Sequence, residues 1–175
     1  MSKMQRDKQK CYALFDSALI PQVWLRLDTW KLPYEPLYRY NYQSIAEAIP
    51  YLIELNKSIN ADSVDELSTN KLYLSGLFIT SRLDINELIE KLAYFYHIIG
   101  PDNHPYLRRF FDIRLFDEFI NSLSLSEKQS LFGDKTEFYY FSEKENVYNR
   151  YTFDKAQHIN ISKVSAFPVI EAVTK

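Results

Sequence analysis

GLFITSRLDINELIEKLAYFYHIIGP, Gly76 to Pro101, contains both kinds of element from which this chain is built. It begins inside LYLSGLFITS, Leu72 to Ser81, an apolar run rich in β-branched and aromatic residues that reads as a buried strand. Gly76 within that run marks a bulge or a close backbone approach. The second half reads as a helix. Asp84 stands as N-cap with Glu87 three residues on, and Ile85, Leu88, Ile89, Leu92, Tyr96 and Ile99 recur on one face until Gly100 and Pro101 stop the segment.

Working outward, the same alternation recurs. CYALFD, Cys11 to Asp16, reads as a first strand, followed by a helix with Pro21 in its first turn and Val23, Trp24, Leu27 and Trp30 at helical spacing, closed by Leu32 and Pro33. PLYRY, Pro36 to Tyr40, reads as a second strand. Ser44 and Glu47 form a capping box for a short helix to Ile49, and Pro50 opens a strand to Leu55. NKSINADSVDELSTN, residues 56–70, is polar, carries turn formers and reads as a mobile loop with room for one helical turn. Beyond Pro101, YLRRFFD, Tyr106 to Asp112, reads as a strand running into a helix with Leu115, Phe116, Phe119, Ile120 and Leu123 inward. A further box, Ser124 with Glu127, starts a helix that Gly133 ends. Aromatic alternation in TEFYYF and NVYNRYTF reads as a closing hairpin or edge pair, and the stretch from His158 to Lys175 as an irregular apolar tail.

Strand followed by helix, several times over, predicts an α/β fold: a mixed, largely parallel sheet flanked by helices, with a C-terminal aromatic strand pair. One domain is expected. Residues 1–10 form a polar leader, 11–135 the α/β body, and 136–175 strands and tail of the same domain, because about 40 residues are too few to fold alone without staples.

Composition narrows the function. The 175 residues are 46% hydrophobic, enough for a sizeable core, and 21 basic against 23 acidic residues leave a net charge of -2 and no field to gather phosphates. Nucleic acid is therefore not expected as a partner. Three glycines, Gly76, Gly100 and Gly133, cannot build a phosphate-cradling loop. The single cysteine, Cys11, forms no internal disulfide, the charged start MSKMQRDKQK has no apolar run behind it, and no stretch approaches the roughly 20 apolar residues of a membrane span. The expectation is a cytoplasmic chain with no membrane partner. Tyrosine and phenylalanine, 14 and 12 residues, supply most of a large aromatic fraction suited both to cores and to contact surfaces.

A search for chemistry assigns no catalytic residue, metal ligand or cofactor. His97, His104 and His158 lack any spacing that puts two ligands on one element, and no GxSxG elbow occurs. Cys11 opens a strand, where a buried structural thiol is the plainer reading. Asp117 with Glu118 and Asp65 with Glu66 read as solvated faces. Asp112 ends an apolar run and opens a helix, where an aspartate serves as N-cap more often than as catalyst.

Five segments then fall in a familiar order: YALFDSA at Tyr12 to Ala18, PYLIEL at Pro50 to Leu55, GLFITS leading into DINELIEKL, RFFDIRLFDEFI at Arg109 to Ile120, and LSLSEKQSLFG at Leu123 to Gly133. Over residues 11 to 135 the chain resembles the DUF4123 family, a domain-of-unknown-function family of type VI secretion effector adaptors. Departures occur: Ile113 stands where the family commonly has proline, Ser17 where it commonly has glycine, the connection GPDNHPYL before Arg109 differs from the usual short turn, and the C-terminal region carries no matching motif. The resemblance implies a non-enzymatic cytoplasmic adaptor whose partners are a cognate secreted effector and the spike protein VgrG. A handover of this kind calls for aromatic anchors in a polar rim, and Tyr38, Arg39, Tyr40 and Tyr42, with Tyr148, Arg150 and Tyr151, are the expected contact residues; packing along strand edges is the alternative for each. For the motif residues Asp16, Arg109, Asp112 and Arg114 a structural role is expected, as caps and as carboxylate–guanidinium pairs. Two other classes stay open: an immunity protein or other secretion scaffold, and a small enzyme whose groups meet only in the fold.

Overall fold

KCYALFD, Lys10–Asp16, forms β1 and lies in the middle of the sheet, which explains its nearly continuous apolar character. The computed structural model describes residues 8–171. After β1 come α1 (Pro21–Trp30), β2 (Tyr34–Pro36), a 3-10 helix (Gln43–Ala48), β3 (Pro50–Glu54), α2 (Lys57–Thr69), a 3-10 turn (Lys71–Tyr73), β4 (Leu77–Ser81) and α3 (Ile85–Tyr96). The chain continues through β5 (His97–Ile99), β6 (Pro105–Leu107), α4 (Ile113–Ser122), α5 (Leu125–Leu131), β7 (Glu137–Ser142), β8 (Val147–Phe153) and β9 (Ile159–Val164).

Seven strands make one sheet in the order β2-β3-β1-β4-β7-β8-β9, and every neighbouring pair is antiparallel. The expected largely parallel sheet is thus overturned, and the pairing shows why. Strand–helix–strand connections do run β1-α1-β2 and β3-α2-β4, and the strands each connects point the same way. Between each such pair, however, lies a third strand, β3 in the first case and β1 in the second, running oppositely. A split βαβ unit keeps the parallel direction but not the parallel ladder.

The sheet buries both faces, giving three layers. Tyr12 and Leu14 of β1 join Ile79, Phe138 and Tyr140 beneath α3, α4 and α5. Cys11, Ala13 and Phe15 point the other way, with Phe78 and Tyr139, beneath α1, α2 and the segment carrying Phe167. Tyrosines bridge layers by their tips: Tyr12 donates to the Leu83 carbonyl at 2.7 Å and Tyr51 to the Ala46 carbonyl at 2.7 Å.

Several local expectations also change. PLYRY is not a strand: pairing covers Tyr34–Pro36, after which the chain leaves the edge. The polar stretch taken as a loop is α2, capped by the Asn56 side chain, which accepts the Ser58 N–H at 3.0 Å, and seated by Val64 and Leu67. Two well-placed apolar residues suffice where the opposite face is solvated. The 72–81 strand is shorter, beginning at Leu77. The helix from Asp84 keeps its capping box but stops at Tyr96, so Ile99 becomes an exposed residue of β5 rather than part of the buried face. YLRRFFD contributes only Tyr106 and Leu107 to β6, and Leu115 points outward on α4. The aromatic hairpin forms with Tyr139 opposite Arg150, but β9 extends it to three strands inside the expected tail. Lys10 of the expected leader already belongs to β1, while residues 1–7 of that leader and 172–175 of the tail lie outside the described residues.

Gly76 marks a close approach. A Cβ there would lie 2.5 Å from Cε1 of the fully buried Phe15 ring. Gly76→Ala is therefore expected to cost roughly 1–3 kcal/mol by overpacking, measured by chemical denaturation; an unchanged midpoint would show that the ring moves freely.

Candidate protein-binding surface

The motif residues converge where β1 ends and α4 begins. The Asp16 carboxylate accepts the Ala18 N–H at 3.0 Å and an Arg109 guanidinium nitrogen, tying the β1–α1 turn to the loop after β6. Phe110 and Phe111 are buried next to Arg109, and the Tyr140 hydroxyl donates to the Phe111 carbonyl. Asp112 caps α4: its Oδ1 accepts the Arg114 N–H at 3.0 Å, and the Arg114 side chain binds the same carboxylate through Nε at 3.0 Å and Nη2 at 2.7 Å. Ile113 is the first residue of α4, a position where proline also fits, so this departure from the family pattern removes no contact. The Ser17 hydroxyl, where glycine is common, is buried without a hydrogen-bond partner among the described residues.

Hydrogen bonds from Arg114 hold the Asp112 carboxyl below its ordinary pKa of 3.8, outweighing the burial that would raise it. A depressed folded-state value means the ionic contribution to stability is complete above the ordinary value and disappears as pH falls through the folded one. Asp112→Ala is expected to cost roughly 0.5–2 kcal/mol at pH 7. The gap from the wild-type chain, followed by urea melts, should narrow below about pH 4; a gap that does not change with pH would remove the ionic part.

A second feature stands apart from the seven-stranded sheet. β5 and β6 form their own antiparallel pair, with His97 opposite Leu107, closed by the turn in which Gly100 N–H bonds the His104 carbonyl at 2.9 Å. Against this arm lies the segment carrying Tyr38, Arg39 and Tyr40. His97 organises the junction: its Nε2 accepts the Arg39 N–H at 3.1 Å, and its ring lies 5.4 Å from Tyr38 and 4.9 Å from Tyr40. Burial lowers the His97 pKa, opposed by a bond to the Leu37 backbone and aided by the Arg39 charge, which favours the neutral ring this acceptor role needs. Arg39 bridges Glu35 at 3.4 Å and Glu90 at 2.5 Å. The result is a groove of about 460 Å³ between Tyr38, Tyr40, His97, Ile99, Tyr106 and Leu107, in which Tyr40 is 64% and Ile99 67% exposed.

The other expected contact residues are not brought to this surface. Tyr42 is half-buried against the α1/α2 face. Tyr148 and Tyr151 are buried on opposite faces of the sheet, because β8 lies between β7 and β9 instead of at an edge. Arg150 is held bidentately by Glu137, through Nε at 2.9 Å and Nη2 at 2.8 Å. Conversely, His97, Ile99, Tyr106 and Leu107 are residues of the groove that sequence reasoning missed. HIIGPDNHPYL, an apolar run, a turn-forming cluster and a second apolar run, carried the hairpin signal.

Burial pushes the Cys11 thiol up to about 11, so it stays protonated near neutrality. Among the described residues no group of three or more His, Cys, Asp or Glu side chains is placed to hold a metal ion, and no helix is long and apolar enough to cross a membrane.

No curated protein and no solved structure matches the chain. The family model described as domain of unknown function DUF4123 matches residues 11–130, from the first residues of β1 to the end of α5. The corner built from Asp16, Arg109, Asp112 and Arg114 and the arm of β5 and β6 both fall inside that span, and the chain belongs to the DUF4123 family.

Proposed function

We propose that this chain is a non-enzymatic adaptor of a bacterial type VI secretion system, which holds a cognate effector in the cytoplasm and brings it to the VgrG spike without being secreted itself. The resemblance of the five ordered segments supplies the secretion setting. The observation that carries a protein-binding role is the exposed arm: Tyr40, Ile99, Tyr106 and Leu107 open an apolar groove beside the charged rim of Arg39, Glu35 and Glu90. Anchors of this kind within a polar rim are how transient interfaces concentrate their energy. In this reading Asp16, Arg109, Asp112 and Arg114 hold the β1–α4 corner in shape and take no part in chemistry.

The test is capture of the effector and spike encoded beside this chain. The wild-type protein should co-purify with both, and the double variant Tyr40→Ala, Ile99→Asp, with an unchanged melting temperature, should lose at least about ten-fold in affinity for its cargo, as expected for truncating central anchors. Undiminished capture by that variant removes the arm as the contact surface. A wild-type chain that captures a toxin domain alone, and never a spike, favours an immunity protein instead.

A further inference from the structure

We propose that the groove where β1 ends and α4 begins binds a segment of a partner protein that presents an apolar side chain next to a carboxylate. This surface is separate from the arm and does not rest on the adaptor reading. The groove encloses about 280 Å³, with Leu19, Ile20, Phe111 and Ile113 among its walls. That is at the low end for a small-molecule site and suits one or two side chains. Leu19 is 61% exposed and Ile113 43%, so apolar wall surface stays open to water.

Its charges are arranged by depth. Asp16 and Asp112 are buried, while the side chains of their partners Arg109 and Arg114 are 45% and 77% exposed. The carboxylates are thus already neutralised by their own arginines, which leaves no site for a cation, and the guanidinium groups lie on the solvent side. Among the described residues Arg114 spends Nε and Nη2 on Asp112 and Arg109 spends Nη2 on Asp16, so Nη1 of each has donors to spare. A guanidinium oriented by a fixed carboxylate is well placed to donate to a second one. Arg108 and Glu118 line the adjoining depression with Arg109 and partly balance one another, so the Arg114 side is the one that favours an anion. The buried aspartates beneath disfavour a multiply charged phosphate, whereas a single carboxylate beside an apolar anchor meets both wall and rim.

The experiment uses the full chain and two labelled peptides, acetyl-Leu-Asp-Leu-Phe-Asp-Leu-amide and its twin with lysine at both acidic positions, followed by fluorescence anisotropy. The acidic peptide should bind at least about ten-fold more tightly than its twin at low salt, with the ratio falling as salt rises. Arg114→Glu and Leu19→Asp should each weaken it by roughly five-fold or more, as expected for removing a charged hydrogen bond or an apolar anchor. Arg114→Glu keeps only the backbone N–H bond to Asp112 and loses the ion pair, whereas Leu19→Asp touches neither ion pair, so Leu19→Asp is the variant that reports on the groove with the corner intact. Equal binding of the two peptides, binding of neither, or full affinity in a folded variant overturns the proposal. So does competition by acetate as strong as by the peptide, which marks a simple anion site. A dimer dissolved by Arg114→Glu overturns it as well, because it assigns the groove to a second copy of this chain.

Discussion

Phe116→Ala is expected to destabilise the chain by roughly 3–5 kcal/mol, the range for truncating a buried aromatic ring. Phe116 sits on the inner face of α4 with no exposed surface. Its ring meets Tyr140 at 4.9 Å, Tyr151 at 4.9 Å and Phe138 at 5.5 Å, so it joins the helix to β7 and β8 at once. Removing it opens a cavity that three large, well-anchored rings cannot collapse into, since the Tyr140 and Tyr151 hydroxyls are held by the Phe111 carbonyl and by Asp117. Phe116→Leu should recover a good part of the loss. Urea denaturation reads both variants, and a cost below about 1 kcal/mol for Phe116→Ala would show that α4 is not seated through this ring.

Trp30→Ala should cost a similar amount, roughly 3–5 kcal/mol, on the opposite face of the sheet. Trp30 ends α1 almost fully buried, with its indole N–H donating to Glu66 at 3.2 Å, its ring edge-on to Tyr73 at 5.5 Å, and the Arg26 guanidinium 5.3 Å above it. Arg26 also pairs with Glu66, so the indole and the guanidinium together fasten α1 to α2. Trp30→Phe keeps most of the area and loses the hydrogen bond, and should cost clearly less. Because the sheet separates Trp30 from Phe116, the double alanine variant should lose the sum of the two within about 0.5 kcal/mol. A large departure from additivity would mean that the two faces form one cooperative core instead of two adjoining ones.

Neither ring lies near the arm of β5 and β6. Substitutions at Tyr40 or Ile99 therefore leave both core clusters in place, and a loss of binding there can be separated from a loss of fold. The motif corner differs in this respect, since Asp16 and Asp112 are buried and shape the same groove that Leu19 and Ile113 expose. There the stability and binding readouts must be taken together.

The elements legible in the sequence are those whose signals are local. The capping boxes of Asp84 with Glu87 and Ser124 with Glu127 appear as read, whereas the one expected of Ser44 with Glu47 does not form: that segment is a 3-10 helix whose N-cap is Tyr42, with no side-chain cap. The β7–β8 hairpin follows from alternation and a short turn. The family resemblance needed only the order of five short segments. Amphipathic spacing was less dependable where few apolar residues carry it, and so α2 escaped notice.

Amino-acid order alone determined that strands and helices alternate and where the strongest helices start. Tertiary structure decided which strands became neighbours. Insertion of β3 beside β1, and of β1 between β3 and β4, turned expected parallel pairs into antiparallel ones, a choice made by contacts between residues about 35 to 70 positions apart. The same long-range placement put β8 inside the sheet, burying Tyr148 and Tyr151, and left β5 outside it, exposing Ile99. Whether an aromatic or aliphatic side chain becomes core or contact surface depends on what the rest of the chain lays over it, and that is not written in its near neighbours.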